Sequence, residues 1–162
     1  MTTIRPLLVL TIAITAIWGS ALPAGASPTP APTTTSVLAR DYLRAHPGGV
    51  LRAGNEVVYP DGSGFVAGDI GTKSLGECAS GRFCMWSSAS YTGSFTYVTG
   101  SGVTKPLTQT VRSFWNNRSQ AARLYDNAGT SSTCYGAGVK KSAVAVSYQS
   151  PAKVLLASGA SC

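Results

Sequence analysis

Apolar and polar positions fall into three successive patterns along the chain. From Leu7 to Trp18 the residues are almost continuously apolar. One positive charge, Arg5, precedes this run, and small residues ending in Ala24-Gly25-Ala26 follow it. A charged start, a short apolar stretch and a small-residue exit are the layout of a secretory signal peptide. The run is shorter than the ~20 residues that cross a bilayer. Residues 1–26 are therefore expected to be a signal peptide cleaved after Ala26, with secretion and no stable membrane insertion afterwards. Residues 27–36 (SPTPAPTTTS) alternate Pro and Thr without a large apolar side chain, which predicts an extended linker. Val37, Leu38, Tyr42 and Leu43 then stand near helical spacing, and Ser36 is placed to cap them. One short helix is predicted over Val37–Ala45, ended by His46-Pro47-Gly48-Gly49.

From Val50 onward the period changes. Short β-type runs are Val50-Leu51, Glu56–Tyr59, Phe65–Ala67, Phe83–Trp86, Ser94–Thr99, Val111–Trp115, Ala122–Tyr125, Val139–Tyr148 and Lys153–Ala157. Gly, Asn and Asp clusters separate them, among them Pro60-Asp61-Gly62-Ser63-Gly64. Many short strands with turn signals predict an all-β sandwich or barrel. The organisation read from these shifts is an extension over 37–74 and a main domain over 75–162.

Composition narrows the chemistry. Charged residues are only 12% of the chain, which excludes a coiled coil, and the 44% hydrophobic content with seven Tyr and three Trp excludes disorder throughout. Loss of residues 1–26 would leave twelve basic residues against six acidic ones, a net charge of +6. No Arg/Lys run exceeds two, so nucleic acid is not an expected partner. The single histidine, His46, excludes a His-rich metal site. A Ser–His–Asp set would have to use His46, just before Pro47-Gly48-Gly49, and no G-x-S-x-G elbow occurs. The acidic residues Asp41, Glu56, Asp61, Asp69, Glu77 and Asp126 are scattered, with no visible carboxylate pair. No catalytic residue, no metal and no cofactor are expected, and the chain is read as a monomer and not an enzyme.

Four cysteines in an exported chain are expected to be oxidised. The short gap between Cys78 and Cys84 suits a local bridge, which leaves Cys134 with Cys162. The lack of a C-x-x-C pair argues against zinc. The second bridge would contribute on the order of 3 kcal/mol to a domain with a modest core.

The most specific signature is Cys78-Ala79-Ser80-Gly81-Arg82-Phe83-Cys84-Met85-Trp86, a C-x-x-G-x-F-C-x-W pattern, followed by Tyr91-Thr92-Gly93 and later by Val111–Asn117 and Ala122–Tyr125. Over residues 75–135 this resembles the secreted actinobacterial peptidase inhibitors typified by the Streptomyces metalloproteinase inhibitor. The resemblance implies a βγ-crystallin-like Greek-key sandwich, so the fold class expected is mainly all-β with one short N-terminal helix in an extension. Trp86 would pack over the turn formed by Tyr91 and Gly93, where glycine supplies a positive φ and leaves room for the ring. The calcium motif found in some βγ-crystallins is not intact. Thr108–Ser113 lacks its acidic pair and carries Arg112, and the stretch from Asn116 breaks at Gln120-Ala121.

The resemblance also implies a function, inhibition of an extracellular protease, with a metalloprotease leading. The reactive bond of that family follows a half-cystine, and the matching segment here is Thr133-Cys134-Tyr135. A rigid substrate-like loop loses little entropy on binding. Here no second cysteine closes that loop nearby, and residues 129–138 are rich in Gly and Ser, which predicts a flexible segment. An ordinary surface turn beside a structural disulfide is the competing reading. The alternative function is a cell-wall or chitin-binding module. Tyr91, Tyr97, Trp115 and Tyr135 would then form an exposed row, and Arg112, Arg118, Arg123, Lys140 and Lys141 a basic patch facing an anionic polysaccharide.

Overall fold

The computed structural model describes residues 33–69 and 71–162. The expected signal peptide over 1–26, and the linker up to residue 32, lie outside the described residues. Helix α1 spans Thr34–Ala45. It begins before Val37, because Thr33 is the N-cap and its side chain accepts the backbone N–H of Ser36. Ser36 is therefore inside the first turn and not the cap. The helix stops where His46 donates its backbone N–H to Tyr42 and Gly48 takes a φ of +98°.

The strands are β1 (Val50–Arg52), β2 (Glu56–Val58), β3 (Ser63–Val66), β4 (Arg82–Trp86), β5 (Phe95–Val98), β6 (Val103–Pro106), β7 (Ser113–Asn117), β8 (Ala122–Tyr125), β9 (Ser132–Tyr135), β10 (Lys140–Lys141) and β11 (Lys153–Leu156). The fold is mostly β, with two antiparallel sheets. One has the order β1-β2-β3-β5-β4-β7-β10 and the other β6-β11-β8-β9. Within residues 82–156 the last four strands, β8–β11, repeat the arrangement of the first four, β4–β7, with an exchange between these two halves. Strands β4, β5 and β7 lie side by side, but β6, between β5 and β7 in sequence, crosses to the other sheet. Strands β8, β9 and β11 lie side by side, and β10 crosses back to pair with β7.

The extension is built into this frame. Its β1–β2–β3 meander pairs with β5, with Gly64 opposite Tyr97 and Val66 opposite Phe95. Alternation along β4 divides the core. Phe83 and Met85 point towards the second sheet and pack with Val111, Phe114, Leu124, Val154 and Leu156. Cys84 and Trp86 point the other way, with Phe95, Tyr97 and Cys78. Helix α1 covers the meander, where Ala39 packs with Val57 and Ala67, and the Tyr42 ring stacks on Phe65 at 4.0 Å. Among the described residues no helix is long and apolar enough to cross a membrane.

Three strand expectations change. Strands β6 and β9 carry no alternating apolar signal, because both are edge strands of the second sheet with largely solvent-facing side chains. The run expected over Val139–Tyr148 contributes only the two-residue β10, and its end folds into a 3-10 turn over Val146–Tyr148.

Candidate functional site

The C-x-x-G-x-F-C-x-W segment closes on itself. Cys78 and Cys84 are bridged and almost fully buried, and Gly81 turns the chain with a φ of +84°. The fully buried Trp86 meets the edge of Tyr91, with ring centroids 5.4 Å apart. Its indole N–H donates to Ser74 Oγ at 2.7 Å, and the Ser74 hydroxyl donates to the Gly93 carbonyl at 2.7 Å. The tryptophan is thus tied to the β4–β5 turn through Ser74. Ser90 and Tyr91 take left-handed backbone conformations with φ of 58° and 60°, and Gly93 follows with 73°. The space where a Gly93 side chain would begin is open, so conformation, and not ring clearance, is what calls for glycine there.

The candidate segment Thr133-Cys134-Tyr135 is not a flexible loop. It lies in β9, an edge strand that among the described residues pairs only with β8, with Cys134 opposite Arg123 and Tyr135 opposite Ala122. The β8–β9 connection is closed by Asp126, whose backbone N–H donates to Ser131 O and whose carboxylate accepts the backbone N–H of Thr130 at 2.8 Å. Desolvation pushes the Asp126 carboxyl upward, but hydrogen bonds from the Ser131 backbone and from Thr130 outweigh it and hold the group below its ordinary value. Gly129, with a φ of 75°, completes the turn.

Both sides of the Cys134–Tyr135 bond are anchored. Cys134 is exposed and bridged to Cys162, whose carbonyl accepts an N–H of Arg123 at 2.8 Å. Tyr135 is half-buried, and its ring meets Phe114 edge-on at 4.6 Å. Its side chain therefore faces the core, and burial raises its phenol pKa. What remains accessible at this bond is an extended backbone edge with the exposed side chains of Thr133 and Cys134.

Asn116 completes the site. It sits on β7 at the same parity as Phe114, fully buried between the sheets. Its Nδ2 faces three carbonyls, Gln120 O at 2.9 Å, Tyr135 O at 3.2 Å and Gly136 O at 2.9 Å. Its backbone N–H donates to Val139 O, and its carbonyl accepts from Gly138. In the sequence, Asn116 stands out only as the start of a broken calcium motif. The more telling signal was a polar residue two positions after Phe114, on the core-facing side of a strand.

The four aromatics named for sugar stacking do not make one exposed row. Tyr97 is buried beneath Arg82, whose guanidinium lies 3.8 Å from the ring centroid. Tyr135 faces the inter-sheet core, whereas Tyr91 and Trp115 pack on the opposite side of the long sheet. The basic patch also loses members. Arg118 is buried and donates to Ala121 O, Gly100 O and Ala157 O, each at 2.9 Å. Arg123 is spent on Ser132 and Cys162. Arg112, Lys140 and Lys141 remain exposed.

A cleft of about 240 Å³ between α1 and the second sheet is lined in part by His46, Asp61 and Ser63. These three do not form a nucleophile–base–acid relay. Ser63 donates its hydroxyl to Asp61 at 2.6 Å, Lys105 pairs with the same carboxylate, and His46 Nδ1 faces Tyr42 O at 3.1 Å.

Residues 72–137 match the model of Peptidase inhibitor family I36. That segment runs from just before the first half-cystine to the turn after Tyr135 and leaves α1, β1–β3, β10 and β11 outside. The match supports a peptidase inhibitor with a protease as its partner. It is a family of non-enzymatic inhibitors, which is consistent with the expectation that the protein is not an enzyme. No curated protein and no solved structure matches the chain.

Proposed function

We propose that this protein is a secreted inhibitor of an extracellular metalloprotease, and that the protease meets it along β9 at the Cys134–Tyr135 bond. The inhibitor reading rests on the family match over residues 72–137. The observation that carries the site is the disulfide-tethered edge strand. Proteases take peptides as extended strands, and β9 offers an extended backbone with one free edge. Anchoring on both sides of the bond lowers the entropy lost on docking and retains both ends in place after a cut. Tyr135 serves in this reading as an inward anchor, not as a side chain inserted into the protease. The exchange of β6 and β10 between the two halves supports a βγ-crystallin-like Greek-key scaffold, and two disulfides agree with an oxidising, extracellular setting. No exposed aromatic row favours the polysaccharide reading.

The test titrates residues 27–162 against a thermolysin-like metalloprotease and against subtilisin, with mass spectrometry to follow any cut. Stoichiometric loss of metalloprotease activity, with slow cleavage confined to Cys134–Tyr135, is the expected result. Absence of inhibition of both enzymes at micromolar protein would remove this reading.

A further inference from the structure

We infer that Asn116 is the positioning residue of the inhibitory strand, holding the backbone that follows the Cys134–Tyr135 bond. This rests on the reading of β9 as the protease contact. Different groups secure the two sides of the bond. Cys134 is held covalently by Cys162. The chain after the bond has no covalent tie of its own nearby, and it turns through Gly136, Ala137 and Gly138, with Gly138 at a φ of 73°. Small residues in a turn leave a backbone with many accessible states.

Asn116 removes that freedom from the opposite sheet. Its side-chain amide reaches Tyr135 O and Gly136 O, and its backbone holds Gly138 and Val139. The three carbonyls at one end of the amide settle which end is the nitrogen. Tyr135 contributes the second hold through its ring on Phe114, the residue two positions before Asn116. The two core-facing positions of β7 thus grip the side chain and the carbonyl of the same residue. Hydrolysis of the bond would leave a new amino terminus at Tyr135 still fixed by these contacts. Water adds across the peptide bond, giving a carboxylate on Cys134 and an amine on Tyr135. Because neither end leaves, the amine stays within reach for the reverse reaction.

The experiment compares the full mature chain with Asn116→Ser, Asn116→Gln and Val57→Ala. Val57 is fully buried under the helix, away from β9, and its truncation controls for lost stability. Inhibition constant and rate of cutting at Cys134–Tyr135 are measured against the same metalloprotease, beside the thermal melt. Asn116→Ser is expected to weaken inhibition at least tenfold and to accelerate the cut at least tenfold, whereas Val57→Ala lowers the melting temperature and changes neither. Asn116→Gln, which keeps the amide but displaces it, should fall between and decides the matter should the Ser variant not fold. Equal effects of Asn116 and Val57 variants, or none from Asn116, would overturn the inference while leaving the inhibitor reading intact. A wild-type chain that neither inhibits nor is cut would overturn both.

Discussion

The ring of Tyr97 lies across the backbone of Gly64 and ends on the carboxylate of Glu56. Gly64 and Tyr97 are direct partners across β3 and β5, and the tyrosine hydroxyl donates to Glu56 Oε1 at 2.9 Å, one strand further out. A Cβ on Gly64 would run into the ring. Gly64→Ala should therefore destabilise the protein by about 1–3 kcal/mol, the usual cost of overpacking. Urea denaturation measures it, and an unchanged midpoint would refute the contact.

The same carboxylate pairs with Arg82 at 2.7 Å, with both side chains mostly shielded from water. Removing one partner leaves a shielded charge without compensation. Glu56→Ala should cost about 3 kcal/mol, and Glu56→Gln less, since its amide oxygen can still accept from Arg82. Equal stability of the two variants would argue against the ion pair.

Tyr97 also makes stability depend on alkaline pH. Burial, with the Glu56 hydrogen bond adding to it, pushes its phenol up to about 12. A folded pKa raised above the unfolded value of about 10 stabilises the fold fully below that value and is lost as pH rises towards 12. The melting temperature should fall between these two pH values. Tyr97→Phe should flatten that fall.

Arg118 tests how the ends of β8 and β11 are held. Its guanidinium joins Gly100, Ala121 and Ala157, and burial lowers its pKa from the ordinary value. A lysine ammonium has no planar fork to span three carbonyls. Arg118→Lys should cost about 2 kcal/mol, measured by urea denaturation, and a neutral result would mean that water replaces the fork.

The Cys134–Cys162 bridge closes a segment with a sequence separation of 28. Replacing both cysteines with serine should remove about 3–4 kcal/mol in the chain-entropy picture. It should also speed cutting at residue 134, read by mass spectrometry. Lost stability without faster cutting would separate the bridge's structural role from its role at the strand.

What could be read in the sequence followed from burial. The continuous apolar run Phe83–Trp86 and the alternating run Ala122–Tyr125 both form strands where the sequence places them, and the spacing of Cys78 and Cys84 agrees with their bridge. Strands β6 and β9 were invisible because an edge strand has little apolar surface to signal it. The candidate segment at Cys134 was legible as a place but not as a geometry. Its order comes from Asn116 and Asp126, polar residues whose partners are backbone carbonyls and amides. The parity of Asn116 with Phe114 marks a polar side chain on the core face, but neither composition nor periodicity names its partners. The tie between the extension and the main sheet was hidden for a similar reason. It runs through Glu56, Gly64 and Tyr97, three residues that look unrelated until β3 and β5 pair.

Strand β11 lies between β6 and β8 and is in register with both. It comes after every other strand in the sequence, so the second sheet has no centre until Lys153–Leu156 arrives. Loop-closure entropy opposes that pairing until its contacts form. Until then β6 and β8 keep open edges, and Val154 and Leu156 are missing from the inter-sheet core. The segment 72–137 that carries the family match ends before this strand. A fragment cut to those bounds would contain the candidate bond and lack the strand that holds its sheet together.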